Sequence, residues 1–188
     1  MARENGVWLL TAVWLSAIGA GLWLWERYDT TPGAAGTPAA LENAPTHRWQ
    51  LTVFVHPRCP CSRATLVELA QLAAAAPDLS VRIRFVVPRG VGSGWAQGPL
   101  WVEAGRMPGV SVDLDPDGAQ ARLFGAETSG HAALTAPDGV VVFSGGLTPG
   151  RGRPGEGLAR RAVLGWMRGR TGASTAPVFG CELLPPGA

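Results

Sequence analysis

The chain has 188 residues, 46% of them hydrophobic, which suffices for one domain of ordinary size with segments to spare. A formal net charge of +2 excludes the strongly basic balance of a nucleic-acid binder. Three cysteines are too few, and odd in number, for a disulfide scaffold, so they read as a reactive pair plus one further thiol. All 16 basic residues are Arg, a bias that accompanies abundant Ala, Gly and Pro and reads as compositional rather than as phosphate binding.

Residues 7–25 carry no charge. About 19 residues of helix are enough to cross a hydrocarbon core of about 30 Å. Trp8 lies near one end of this run and Trp23 and Trp25 at the other, as interfacial aromatics do. Glu26 and Arg27 follow it, where a cleaved signal peptide would show a small-x-small site, so residues 1–27 are expected to remain as a membrane anchor. An anchor ahead of a cysteine-bearing domain points to an oxidising compartment, the periplasm or the outside of the cell. Residues 28–48 are rich in Thr, Pro, Gly and Ala and read as a linker. The folded domain is expected over 49–170, followed by a Gly/Pro-rich tail, 171–188, that carries Cys181.

Within the domain, 50–56 is apolar and β-branched, the signal of a buried strand. Residues 62–75 hold strong helix formers with Leu66, Leu69 and Leu72 on one side. A second strand is expected at 79–87, a short helix at 99–105 and a strand at 110–114. The Asp115-Pro116-Asp117 run reads as the start of a helix reaching about Phe124. Residues 131–135 and 140–144 flank Ala136-Pro137-Asp138-Gly139, a hairpin turn, and 157–168 is an amphipathic helix. This order, β-α-β-(α-β-α)-β-β-α, predicts an α/β fold with a central mixed sheet and flanking helices.

The chemistry concentrates at a strand-to-helix junction, His56-Pro57-Arg58-Cys59-Pro60-Cys61-Ser62. Free N–H groups at a helix start stabilise a thiolate, as does a nearby Arg such as Arg58. The thiolate is the nucleophile of disulfide exchange, and a second thiol close by resolves the mixed disulfide. Phe54 to Cys61 resembles the strand, aromatic, proline and cysteine pair of the thioredoxin-like superfamily, with Cys-x-Cys in place of the usual Cys-x-x-Cys. Residues 110–146, with Asp115-Pro116-Asp117-Gly118, Phe124-Gly125 and the hairpin, resemble the membrane-anchored TlpA-like thiol-disulfide oxidoreductases. Cys59-Pro60-Cys61-Ser62 with Phe179-Gly180-Cys181 is also similar to a small thioredoxin-like family labelled RedB.

The resemblance implies a thioredoxin-like fold, redox-active Cys59 and Cys61, no cofactor beyond a disulfide, and protein thiols as partners. It also implies two departures. The superfamily's cis-proline position falls on Gly130, followed by His131, and a gapless match sets Ser62 in the second cysteine's place, leaving Cys61 as an alternative resolver. Pro60, Arg58 and Ser62 line the expected site. A competing reading is a Sco-like protein that handles copper, or another soft metal such as zinc, through Cys59, Cys61 and His131. A place at a strand end accounts for His56 more simply, and a polar residue at a strand start for His131, while Arg151 and Arg153 read as a solvated loop. The tail thiol is expected nearer the Cys59/Cys61 site than a random surface position.

Overall fold

A computed structural model of the chain describes residues 2–38, 45 and 47–184, leaving aside the side chains of residues 2–5 and 93. Linker positions 39–44 and 46 and tail positions 185–188 lie outside the described residues. The chain divides into two compact units, Met1–Thr31 and Pro32–Ala188. The first is a helix, α1 (Ala2–Thr30), in which residues Gly6–Thr30 are long and apolar enough to cross a membrane.

The second unit runs β1 (Gln50–Val55), α2 (Ser62–Ala75), β2 (Ser80–Val87), α3 (Pro99–Gly105), β3 (Val110–Pro116), α4 (Ala119–Leu123), β4 (His131–Thr135), β5 (Val141–Gly146), α5 (Leu158–Met167) and β6 (Thr175–Ala176). The six strands form one sheet in the order β3-β2-β1-β4-β5-β6. β1 is parallel to β2 and antiparallel to β4, and β4 and β5 form the hairpin, so the sheet is mixed. A βαβ unit joined through antiparallel β4 to a terminal hairpin and helix is the thioredoxin-like arrangement. β1 lies inside the sheet, as its near-continuous apolar run requires.

Strand alternation divides the core between the two faces. Leu51, Val53 and Val55 of β1 join Leu66, Leu69 and Leu72 of α2 in the larger cluster, which α3 and α5 also cover. Phe54 points the other way, into a smaller cluster with Val86, Ala121, Phe124 and Leu183. The tail therefore supplies part of the second face.

Two local features differ from the sequence reading. Asp115 and Pro116 do not start a helix: they end β3, where Val87 pairs with Pro116 and keeps the chain extended. α4 begins only at Ala119, and the Asp115 carboxylate reaches forward to accept the N–H groups of Gln120 and Ala121, both at 2.9 Å. The second difference is β6, two tail residues parallel to Ser144 and Gly145 of β5. Their approach depends on glycine, because a Cβ at Gly145 would collide with the backbone of Ala176.

Candidate active site

β1 delivers the chain to the site and α2 carries it away. Between them the backbone turns tightly: Cys59 N–H donates to His56 O at 3.1 Å, and Ser62 N–H donates to Cys59 O at 3.1 Å. Cys59 is consequently buried in the turn before α2, Pro60 is exposed, and Cys61 is the half-buried N-cap residue. The tail completes the site. Cys59 Sγ and Cys181 Sγ lie 2.8 Å apart, and the sulfurs of Cys59, Cys61 and Cys181 all fall within 4.8 Å of one another.

The three thiols are electrostatically unequal. Burial alone would push the Cys59 thiol up, but hydrogen bonds from the Cys181 thiol, the Cys181 N–H, the Ser62 hydroxyl and the Cys61 N–H outweigh it, so Cys59 lies below the ordinary thiol value. Burial, the hydrogen bond to Cys59 and the charge of Cys59 push Cys181 up to about 12, against the opposing pull of Arg151. Cys61 is also raised, by burial first and then by the charge on Cys59. A single negative charge in the cluster thus settles on Cys59, while Cys181 holds its proton and shares it across the 2.8 Å contact.

Ser62 and Ser129 brace the junction. Their hydroxyl oxygens are 2.9 Å apart, and Ser129 Oγ accepts the His56 N–H at 2.9 Å. Ser129 was not singled out by the sequence, because a lone Ser before Gly130 has no distinctive pattern. Arg58 stacks over the Trp95 ring at 4.9 Å from its centroid, and it is absent from the groups that shift Cys59. His56 packs edge-on against the same indole, and burial and Arg58 together lower its pKa. Among the described residues, the cation that acts on the thiols is Arg151, whose guanidinium donates to Gly180 O and draws Cys61 and Cys181 downward. Its loop is tied to α2 through buried Glu68, which accepts the Gly155 N–H at 2.6 Å and pairs with Arg160 at 3.4 Å.

Gly130 stands beside this site with φ +92°, and no cis peptide occurs among the described residues. Its N–H donates to Phe54 O at 2.8 Å, a bond proline cannot make. His131 is 1% exposed. Its Nε2 contacts Ser144 Oγ at 2.8 Å, and burial lowers its pKa to about 4, so the imidazole is neutral. His131 is not part of the sulfur cluster, the described group whose potential metal-ligand atoms gather within 4.8 Å.

No protein-family model matches the chain, and no curated protein matches it significantly. Among solved structures, an uncharacterised conserved protein from Geobacillus kaustophilus is 19% identical, with a TM-score of 0.62 over 85% of this chain and 92% of its own. A hypothetical protein from Sinorhizobium meliloti 1021 is also 19% identical, with a TM-score of 0.59 over 85% and 96%. A putative thiol:disulfide interchange protein DsbE from Chlorobium tepidum is 18% identical, with a TM-score of 0.49 over 73% and 98%. The likeness is one of fold.

Proposed function

We propose that the protein is a membrane-anchored thiol-disulfide oxidoreductase that works on protein thiols and disulfides outside the cytoplasm, with α1 as its uncleaved anchor. The observation that carries this reading is Cys59, held below the ordinary thiol value in the turn that leads into α2, with a second sulfur 2.8 Å away. The Cys59 thiolate attacks one sulfur of a client disulfide. The client S–S bond breaks, a Cys59–client bond forms, and the client's other sulfur leaves with the electron pair and takes up a proton. Cys181, or Cys61 in its stead, gives up its proton and attacks the Cys59 sulfur, freeing the client as a dithiol. The client gains two electrons, and the protein loses two and closes a Cys59–Cys181 or Cys59–Cys61 disulfide. The potentials of the partners decide whether the sequence runs this way or in reverse.

The test is peptide-resolved alkylation against pH, with disulfide mapping by mass spectrometry, on the full chain. Cys59 in Cys61→Ser is expected to titrate below Cys61 in Cys59→Ser, and mild oxidation is expected to yield a Cys59–Cys181 peptide pair. Equal, ordinary thiol midpoints in both variants refute the catalytic role. Intact mass of membrane-extracted protein checks the anchor: it must include residues 7–25.

The gathering of three sulfurs within 4.8 Å favours a second reading, in which the protein carries a soft metal such as copper(I) or zinc on Cys59, Cys61 and Cys181. Stoichiometric metal in the reduced protein, lost in Cys181→Ser, would support it over disulfide exchange.

A further inference from the structure

The tail reaches Cys59 as an added strand. Ser129 N–H donates to Cys181 O at 2.8 Å, Leu183 N–H donates to Glu127 O at 2.8 Å, and Thr128 and Glu182 form an antiparallel bridge between them. This is the pairing by which an extended peptide adds to an exposed backbone edge, main-chain bonds giving affinity and alternate side chains giving selectivity. The side chains obey that alternation. Glu182 is exposed, whereas Leu183 is 1% exposed and packs with Phe54, Val86 and Phe124.

The residue before the cysteine is constrained more tightly still. Gly180 is buried, and a Cβ there would collide with the Ser129 carbonyl oxygen. Its own carbonyl is held by the Arg151 guanidinium. Val178, two residues earlier, is 1% exposed, and its carbonyl accepts the Gly33 N–H at 2.8 Å. Every one of these contacts sets the Cys181 sulfur against the Cys59 sulfur.

We infer that residues 178–183 are a tethered substrate mimic: the segment fills the groove beside Glu127–Ser129, and client proteins displace it and bind in the same manner. The client class follows from the mimic's own chemistry. It is an extended polypeptide with a cysteine opposite Cys59, a glycine immediately before that cysteine and an aliphatic side chain two residues after it. The inference rests on the disulfide-exchange reading and adds to it both a selectivity and a gate. With the segment seated, Cys59 is 1% exposed, so release must precede attack on any client.

The experiment uses the full chain in detergent and octapeptides of the sequence Pro-Val-Phe-Gly-Cys-Glu-Leu-Leu, each cysteine capped as a coloured thionitrobenzoate disulfide. Three companion peptides carry alanine for the glycine, aspartate for the first of the two leucines, or the same residues in scrambled order. The protein variants are Cys181→Ser, and Cys181→Ser combined with Gly180→Ala or with Leu183→Asp, both of which loosen the segment. Hydrogen exchange at the Ser129 and Leu183 amides reports whether it is seated, and circular dichroism confirms the fold.

Loosening is expected to speed the reaction of Cys59 with the parent peptide. The three altered peptides are expected to react about tenfold or more slowly than the parent, the discrimination a misfitted pocket provides. Equal rates for all four peptides, or a Cys59 rate indifferent to loosening, overturns the inference and leaves disulfide exchange standing. A Cys59 that ignores even a small aromatic disulfide in every variant, with the fold intact, overturns both.

Discussion

His131 shows how one buried side chain makes the fold sensitive to pH. Its imidazole has a pKa of about 4 in the folded chain, against about 6.5 when unfolded. As the pH falls, the unfolded chain takes the proton first, so stability that is intact above pH 6.5 is lost progressively towards pH 4. The ceiling on that loss is roughly 3 kcal/mol. Chemical denaturation across this window is expected to be flatter in His131→Gln than in the parent; identical slopes would show that the imidazole charges freely within the fold. At this scale the sequence set Cys59, Cys61 and Ser62 at a strand-to-helix junction, and the structure places all three there, between β1 and the first turn of α2. The sequence was uninformative about Ser129 and Arg151. Ser129 acts on Ser62 and His56, far from it in sequence, and Arg151 on a carbonyl of the tail, and no local pattern encodes either contact.

Among the elements, those with a strong period were legible. α2 spans the expected residues 62–75, β1 falls on its β-branched run, and the β4–β5 hairpin falls where the Pro137-Asp138-Gly139 turn places it. The start of α4 was misjudged because proline suits both a first helical turn and the end of an edge strand, and pairing with β2 decided for the strand. The consequence is a cap made at a distance. Removing the Asp115 carboxylate leaves two N–H groups of α4 without an acceptor, so Asp115→Ala is expected to cost about 1–2 kcal/mol. Urea denaturation measures this, and Asp115→Asn should recover part of it through its remaining carbonyl oxygen. β6 was invisible for a different reason: Thr175 and Ala176 have no strand signal of their own, and they pair only because Gly145 leaves room.

Taken whole, the domain closes on itself through its last segment. Cys59 and Cys181 are separated by 122 positions, so a bond between them spans nearly all of the sheet. Constraining a loop of that length removes enough unfolded-state entropy to stabilise by about 4–5 kcal/mol. For a chain of this size that corresponds to a rise of about 10 °C in Tm. Thermal scans with and without reductant should therefore separate the parent and Cys61→Ser by that order, while Cys181→Ser shows one Tm in both; a reductant-independent parent would mean that the bond does not form. β6 adds something to this closure. It grips the sheet by two residues, and β5 offers the same complement on every copy of the protein. A released arm has no means of telling its own sheet edge from a neighbour's, so crowding favours reciprocal exchange. Oxidation after such an exchange would link each chain's Cys59 to the other's Cys181 and weld two molecules into a covalent ring.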